Sequence, residues 1–276
     1  MAKVVFITGC ASGVGKHLVG RFAQDGYRVL ATDIDYAGLK RAASEERWPE
    51  QTVWLRKLDI TQKGHWEKLM SDLFSKWQGL DVMCNVAGYL KPGRVHETEL
   101  QEVDRHLDIN IKGLIYGSKF AAERMVSQGS GLIVNIASLA GVAPIPGISL
   151  YSTSKFAVRG FSLSLAQELK PHGVDVSVLC PDAIETPMLD LQEDYEEAAL
   201  TFSGGKTLTV NDIGDAIFSR ILKQRPVEVL LPAHRGWLAK LGNTVPGISF
   251  MLSDQLGRIG ASRQRKRRQG KVARSG

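Results

Sequence analysis

The sequence predicts an α/β domain, a doubly wound parallel sheet of about seven strands with helices on both faces. Over the first 180 residues, short β-branched runs alternate with helical patterns of about 12 to 20 residues, the form taken by parallel strands and their crossover helices. Runs such as "VVFI", "LIVNI" and "VSVLC" are apolar at every position, as strands covered on both faces require. A chain of 276 residues that is 43% hydrophobic can bury the core of one large domain.

In chain order, the strands are expected at "KVVFITG", "YRVLATD", "TVWLRKLD", "LDVMCNVAG", "GLIVNIAS", "VDVSVLCP" and "VEVLLP". Helices are expected over residues 14 to 25, 36 to 45, 62 to 77, 99 to 127, 152 to 171 and 211 to 223. Two regions break the alternation. Residues 187 to 208 are too long for a routine connection and read as a lid at the sheet's carboxyl edge. Residues 233 to 257 form an apolar C-terminal extension carrying Trp237, Leu238, Leu241, Val245, Ile248, Phe250 and Leu256. The single domain is therefore expected to span residues 1 to 257, followed by a tail from 258 to 276.

Charge separates that tail from the rest. Residues 258 to 276 hold eight basic side chains and no acid, whereas the remainder carries 27 basic against 29 acidic residues, about −2. Such a like-charge block, poor in apolar residues, is expected to be disordered in isolation. The three cysteines, Cys10, Cys84 and Cys180, argue against a disulfide framework and for a reducing, cytoplasmic setting. The first residues lack the features of a signal peptide, and no apolar run reaches the roughly 18 residues of a membrane span.

The segment "TGCASGVGKHL" joins the first strand to the first helix, with glycines at 9, 13 and 15. Glycine suits a tight turn, a close approach to a pyrophosphate, and helix packing on a strand, while the helix N-terminus offers free N–H groups to phosphates. The spacing G-x-x-x-G-x-G differs from a lysine-bearing phosphate loop, which disfavours an ATPase or GTPase. Asp33 ends the second strand, where a carboxylate would accept from adenosine ribose hydroxyls and repel a 2′-phosphate. NAD is thus favoured over NADP.

Tyr151 and Lys155 in "SLYSTSKFAV" lie four residues apart, on one helix face with Cβ atoms roughly 6 Å apart. With Ser138 in "NIAS" and Asn110 in "INIKG", they complete a pattern. The sequence resembles the short-chain dehydrogenase/reductase family in its compact single-domain type. Matching segments are "TGCASGVG", "LDIT", "NVAG", "INIKG", "NIAS", "YSTSK" and "CPDAIETPM", in family order from residue 3 to about 190.

The resemblance implies a Rossmann-type fold and a catalytic group of Asn110, Ser138, Tyr151 and Lys155 beside a nicotinamide. Alcohol oxidation needs a base and ketone reduction an acid. A tyrosine of pKa near 10 stays protonated at neutral pH and so cannot serve as a base, and Lys155 one turn away would stabilise the phenolate and lower that pKa. Ser138 would place the substrate oxygen, and Asn110 would anchor a water linking Lys155 to solvent. Lys155 would also reach the nicotinamide ribose. The cofactor would be held by Gly9, Ser12, Gly13, Val14, Gly15 and Asp33, with Asp59 and Ile60 at the adenine, Asn85, Ala87 and Gly88 along its path, and Ile184 and Thr186 at the carboxamide. Family members commonly have Pro-Gly after the sixth strand. Here it is Pro181-Asp182, which adds a charge near the nicotinamide.

Six histidines without metal-ligand spacing give no metal site, and no G-x-S-x-G elbow suggests a serine hydrolase. Apolar residues before Tyr151 (Leu139, Val142, Pro144, Ile145, Pro146, Ile148) and an amphipathic lid point to a hydrophobic secondary alcohol or ketone: a lipid, steroid, retinoid or long-chain keto compound. A homodimer or homotetramer is expected. The extension and tail also suggest peripheral contact with an anionic membrane. Nucleic-acid binding through "RQRKRR" is disfavoured, because the body lacks basic patches interleaved with aromatics. A dinucleotide sensor without turnover is the remaining alternative.

Overall fold

The computed structural model describes residues 2–275, with side chains described except at 246, 248–253 and 271–275. Its centre is a parallel sheet of seven strands in the order β3-β2-β1-β4-β5-β6-β7. The strands are β1 (Val4–Thr8), β2 (Arg28–Asp33), β3 (Val53–Lys57), β4 (Val82–Asn85), β5 (Gly131–Ile136), β6 (Val174–Pro181) and β7 (Glu228–Leu231). Every pairing is parallel, with Ile7 opposite Ala31 on one side of β1 and Cys84 on the other.

Side chains alternate across a strand, so a sheet buried on both faces needs apolar residues at consecutive positions. In β1, Val5 and Ile7 enter one core with Leu18 and Phe22, while Val4 and Phe6 enter the other with Trp66, Leu73 and Met125. The helices are α1 (Gly13–Gln24), α2 (Tyr36–Glu45), α3 (Lys63–Trp77), α4 (Leu100–Leu107), α5 (Leu114–Gln128) and α6 (Ser149–Leu169), and all but α4 supply side chains to these cores. Helix α1 buries Val14, Leu18, Val19 and Phe22, one stripe at helical spacing. The Asp35 carboxylate caps α2 by accepting from Gly38 N at 2.8 Å.

The expected elements are all present, with ends shifted by up to three residues. The expected helix at 99 to 127 is interrupted by a π-helical turn, Asp108–Gly113, which contains Asn110. Beyond β6 come α7 (Pro187–Leu191), 3-10 turns at Gln192–Asp194 and Glu196–Ser203, α8 (Val210–Asp215), a π turn at Ala216–Ile221, and α9 (Leu222–Gln224). Helix α10 (Ala233–Thr244) follows β7, and α11 (Pro246–Ser275) closes the chain. No helix among the described residues is long and apolar enough to cross a membrane.

Residues 258–275 of the tail, expected to be disordered in isolation, belong to α11 in the structure, where like charges meet opposite charges from residues 190–194; residue 276 lies outside the described residues. Arg267 pairs with Glu193 and with Asp190 at 3.1 Å, and Arg268 pairs with Asp194 at 3.4 Å. Gln264 is buried, and its Nε2 donates to the carbonyls of Gln192 and Tyr195, both at 2.8 Å. At Gly260 an added Cβ would lie 2.0 Å from the Ala199 carbonyl oxygen, so helix and lid are in backbone contact.

Candidate active site

Strand order reverses between β1 and β4, and the loops at their carboxyl ends open a crevice there. A continuous cleft of ≈ 1890 Å³ runs from this point to the C-terminal helices. Drug-sized ligands occupy roughly 300–1,000 Å³, so the cleft has room for a dinucleotide and a second molecule.

The glycine turn forms its floor. Gly9 has φ +73° and packs so closely that a Cβ would lie 2.8 Å from Ala87 Cα. At Gly15 a Cβ would meet the Gly9 carbonyl oxygen at 2.0 Å, which fixes the turn against α1. Ser12 is the N-cap of α1 without a side-chain cap, leaving the first N–H groups of the helix for an anion. Lys16 is held outside the turn by Glu45 at 2.9 Å and Glu46 at 3.0 Å, consistent with the absence of a phosphate-loop lysine.

Asp33 stands at the end of β2 with both oxygens oriented by the backbone: Ala11 N donates to Oδ2 and Asp35 N to Oδ1, each at 2.9 Å. Asp59 is fixed likewise by Thr61 N at 3.0 Å and Thr61 Oγ1 at 2.7 Å, and with Ile60 it lines the same end of the cleft. The Thr8 hydroxyl accepts from Val86 N at 3.0 Å and Ala87 N at 3.1 Å, drawing the loop after β4 onto the glycine turn. Thr8 was not singled out from sequence; as the last residue of β1 it carries no signature of its own.

Ala87 and Gly88 line the cleft, but Asn85 does not. This is a correction: Asn85 ends β4 with its side chain directed inward, donating to Asn135 Oδ1 at 2.8 Å and Ser118 Oγ at 3.1 Å. A buried amide in an apolar interior must find such partners, and these lie on β5 and α5. The network holds β4 to β5 beneath the site.

Ser138 follows β5, Tyr151 and Lys155 rise from the first turns of α6, and all three line the cleft. The Ser138 hydroxyl accepts from Ala140 N at 3.1 Å and is hydrogen-bonded to Tyr151. Lys155 is 4% exposed; its Nζ donates to the Ile136 carbonyl at 2.8 Å and lies 5.5 Å from the Tyr151 ring centre. Burial pushes the Lys155 pKa down to about 8. Burial likewise pushes Tyr151 up to about 12, against the lowering effect of the Ser138 bond. The expected depression of the tyrosine by Lys155 is not found: the ammonium is turned to the Ile136 carbonyl, and burial dominates at Tyr151.

Asn110 is 1% exposed and lies behind the cleft surface. Its Oδ1 accepts from Tyr89 N at 2.7 Å, and its Nδ2 donates to the Tyr89 carbonyl at 2.8 Å and to Ser154 Oγ at 3.0 Å. Ser154 in turn donates to the Tyr151 carbonyl at 2.7 Å. Through these bonds Asn110 ties the loop after Gly88 to the first turn of α6, which carries Tyr151.

Ile184 and Thr186 close the other side. Thr186 Oγ1 donates to the Ile184 carbonyl at 3.2 Å, and its methyl lies 3.2 Å from where a Cβ on Gly13 would project. Asp182, the departure after β6, keeps out of the left-handed backbone region, so glycine is not required there. Its carboxylate pairs with Arg235 Nε of α10 at 2.9 Å, which neutralises the added charge. Arg235 was not anticipated from sequence, since it is the pairing of β6 with β7, Pro181 opposite Leu231, that brings the start of α10 beside Asp182.

The residue 3–197 segment matches the family model for the short chain dehydrogenases. The chain belongs to that family. Among curated relatives, a 3-alpha-(or 20-beta)-hydroxysteroid dehydrogenase of Mycobacterium tuberculosis is 34% identical over 201 residues, 72% of this chain and 76% of that one. A 2-(R)-hydroxypropyl-CoM dehydrogenase of Xanthobacter autotrophicus is 32% identical, covering 71% of this chain and 80% of the relative. An NADP-dependent 3-hydroxy acid dehydrogenase of Salmonella typhimurium is 31% identical over 78% of this chain and 87% of its own. Among solved structures, ElxO with NADP bound superposes with a TM-score of 0.76 at 26% identity, covering 83% of this chain and 96% of ElxO. This short chain dehydrogenase thus has a nicotinamide-type cleft, and the glycine cradle against Ala87 fits such a dinucleotide. Among the described residues no cluster of three or more potential ligands could hold a metal ion.

Proposed function

We propose that this short chain dehydrogenase interconverts a hydrophobic secondary alcohol and its ketone with NAD(H). The observation that carries the reading is the convergence of Ser138, Tyr151 and Lys155 in one cleft with the glycine turn at one end and apolar walls beyond. The walls are Leu139, Ile145, Pro146 and Ile148 before α6, with Met188 and Leu200 from the lid. They suit an apolar substrate of the lipid, steroid, retinoid or long-chain keto class.

A bound nicotinamide dinucleotide would supply hydride acceptance or donation at the substrate carbon. The protein's part is proton handling and placement. Ser138 Oγ donates to the substrate oxygen and holds it at Tyr151. The Tyr151 hydroxyl, whose pKa burial pushes up to about 12, would keep its proton at neutral pH and could act as acid towards a developing alkoxide. In the oxidative direction Tyr151 must first lose that proton, and a charged Lys155 released from the Ile136 carbonyl would favour the phenolate.

The preference for NAD rests on Asp33, whose carboxylate is fixed at the end of β2 and forms no ion pair with a lysine or arginine among the described residues. A 2′-phosphate there would meet an unneutralised negative charge. Assembly as a homodimer or homotetramer belongs to the same reading and is tested by sedimentation equilibrium. The decisive experiment is a panel of apolar secondary alcohols and small polyols with NAD and with NADP, followed by absorbance of the reduced nicotinamide. Apolar alcohols are expected to react with NAD and the Tyr151→Phe protein to lose turnover by at least a thousandfold while still binding cofactor. Faster turnover of small polyols sinks the substrate class, and full binding without any turnover favours the sensor.

A further inference from the structure

The cleft continues past the lid to α11, a helix outside the residues that the family model matches. One face of α11 carries Leu256, Ile259, Gly260, Arg263, Gln264 and Arg267, positions three and four apart. From Gly260 onward this face is covered by the lid: Gly260 touches Ala199, Gln264 binds two lid carbonyls, and Arg267 pairs with Glu193. One turn earlier the covering stops. Leu256 and Ile259, 42% and 39% exposed, line the cleft instead, as Leu238 of α10 does.

We infer that Leu256 and Ile259 are the far wall of the substrate site and select for long apolar substrates. The inference rests on the alcohol dehydrogenase reading and deepens it. The occupant follows from continuity: these side chains line the same cavity as Ser138 and Tyr151. A substrate whose carbinol oxygen sits at Tyr151 has a path along the lid's inner face to α11. The contacts of Gln264 and Arg267 register the helix, so the two apolar side chains stand at a set distance from the reacting centre. Each methylene buried against such a wall favours binding about fourfold.

The test measures kcat/KM for a series of linear 2-alkanols, from four to twelve carbons, with NAD. The proteins compared are wild type, Leu256→Lys, Ile259→Lys and the surface control Lys266→Ala, and circular dichroism verifies helix content. Wild type and control are expected to gain with chain length. In the two lysine variants the ratio of long-chain to short-chain kcat/KM is expected to fall at least tenfold. Ile259→Ala, which keeps the helix apolar, should lower the same ratio about threefold, so the inference remains testable if a lysine variant misfolds. An unchanged ratio in folded variants that still turn over overturns the wall alone. Failure of wild type to oxidise any member of the series overturns this inference together with the alcohol reading.

Discussion

At the residue scale, Lys155 pays a desolvation penalty that its sequence position alone does not reveal. Its pKa falls to about 8 from the usual range near 10.4. Between those values the unfolded chain binds more protons than the folded one, so this group makes stability rise with pH across about 8 to 10.4. Below pH 8 both states are protonated and the penalty is constant, on the order of 3 kcal/mol. Lys155→Met is therefore expected to raise the melting temperature most below pH 8, with the advantage over wild type shrinking as pH approaches 10.4, while turnover is lost. Thermal scans of both proteins over pH 6 to 10.5 check this; a constant or growing difference refutes it. Tyr151, Lys155 and Ser138 could be read as a group only through the family resemblance, since the four-residue Tyr-Lys spacing is common by itself; the fold does bring the three into one cleft. The Ile136 carbonyl that holds Lys155 could not be read, since it comes from a neighbouring strand. Asn85 was misread for the same reason: its place in "NVAG" was visible, but not that Asn135 and Ser118 would draw its amide inward.

Asp33 gives a second prediction at this scale. On the proposed reading, replacing its carboxylate by Ala would remove the charge that opposes a 2′-phosphate and the acceptor for ribose hydroxyls. Asp33→Ala is expected to shift the NAD to NADP ratio of kcat/KM by at least tenfold towards NADP, measured with one substrate at fixed ionic strength. An unmoved ratio would place cofactor selection elsewhere in the cleft.

At the element scale, the lid and α11 act as one unit. Their chemistry hid the pairing from the sequence: a helix normally shows its docking face as an apolar stripe, but here the part that meets the lid is polar, with Gln264 on lid carbonyls and Arg267 on lid carboxylates. Glu193 is only 6% exposed and has the Arg267 guanidinium as partner. Removing one member of a largely buried ion pair costs more than a surface pair, about 2 kcal/mol here. Arg267→Ala is expected to leave the sheet intact, raise KM by about tenfold, and open residues 187–208 to limited proteolysis. The cleavage pattern of wild type and variant decides it, and identical patterns would show that the remaining contacts of Gln264 and Arg263 suffice. Regular elements elsewhere were legible because strand and helix periods are local, whereas the π turn at Asp108–Gly113 was read as uninterrupted helix.

At the scale of the whole molecule, the three cysteines report on how cooperatively the sheet and cleft are held. Cys10 sits in the glycine turn with its Sγ donating to the Ile7 carbonyl at 3.2 Å, while Cys84 and Cys180 lie in β4 and β6, and all are buried. Burial raises each thiol above its ordinary pKa, Cys180 to about 12, so little thiolate is present near neutrality. An aromatic disulfide reagent at pH 8 is therefore expected to find no reactive thiol in the native protein within minutes, and three in concentrated guanidinium. Cys84 and Cys180 can react only when the central strands separate, so their rates should track global stability. Cys10 needs only the turn to open and should react first. Added NAD would then slow Cys10 by direct cover, and the other two only through the mass-action stabilisation of the folded state, RT ln(1 + [L]/Kd). Peptide mapping of the labelled sites separates the three. Equal protection of all of them by NAD would mean that the turn opens only with the sheet, and rapid labelling of Cys84 or Cys180 would refute their burial.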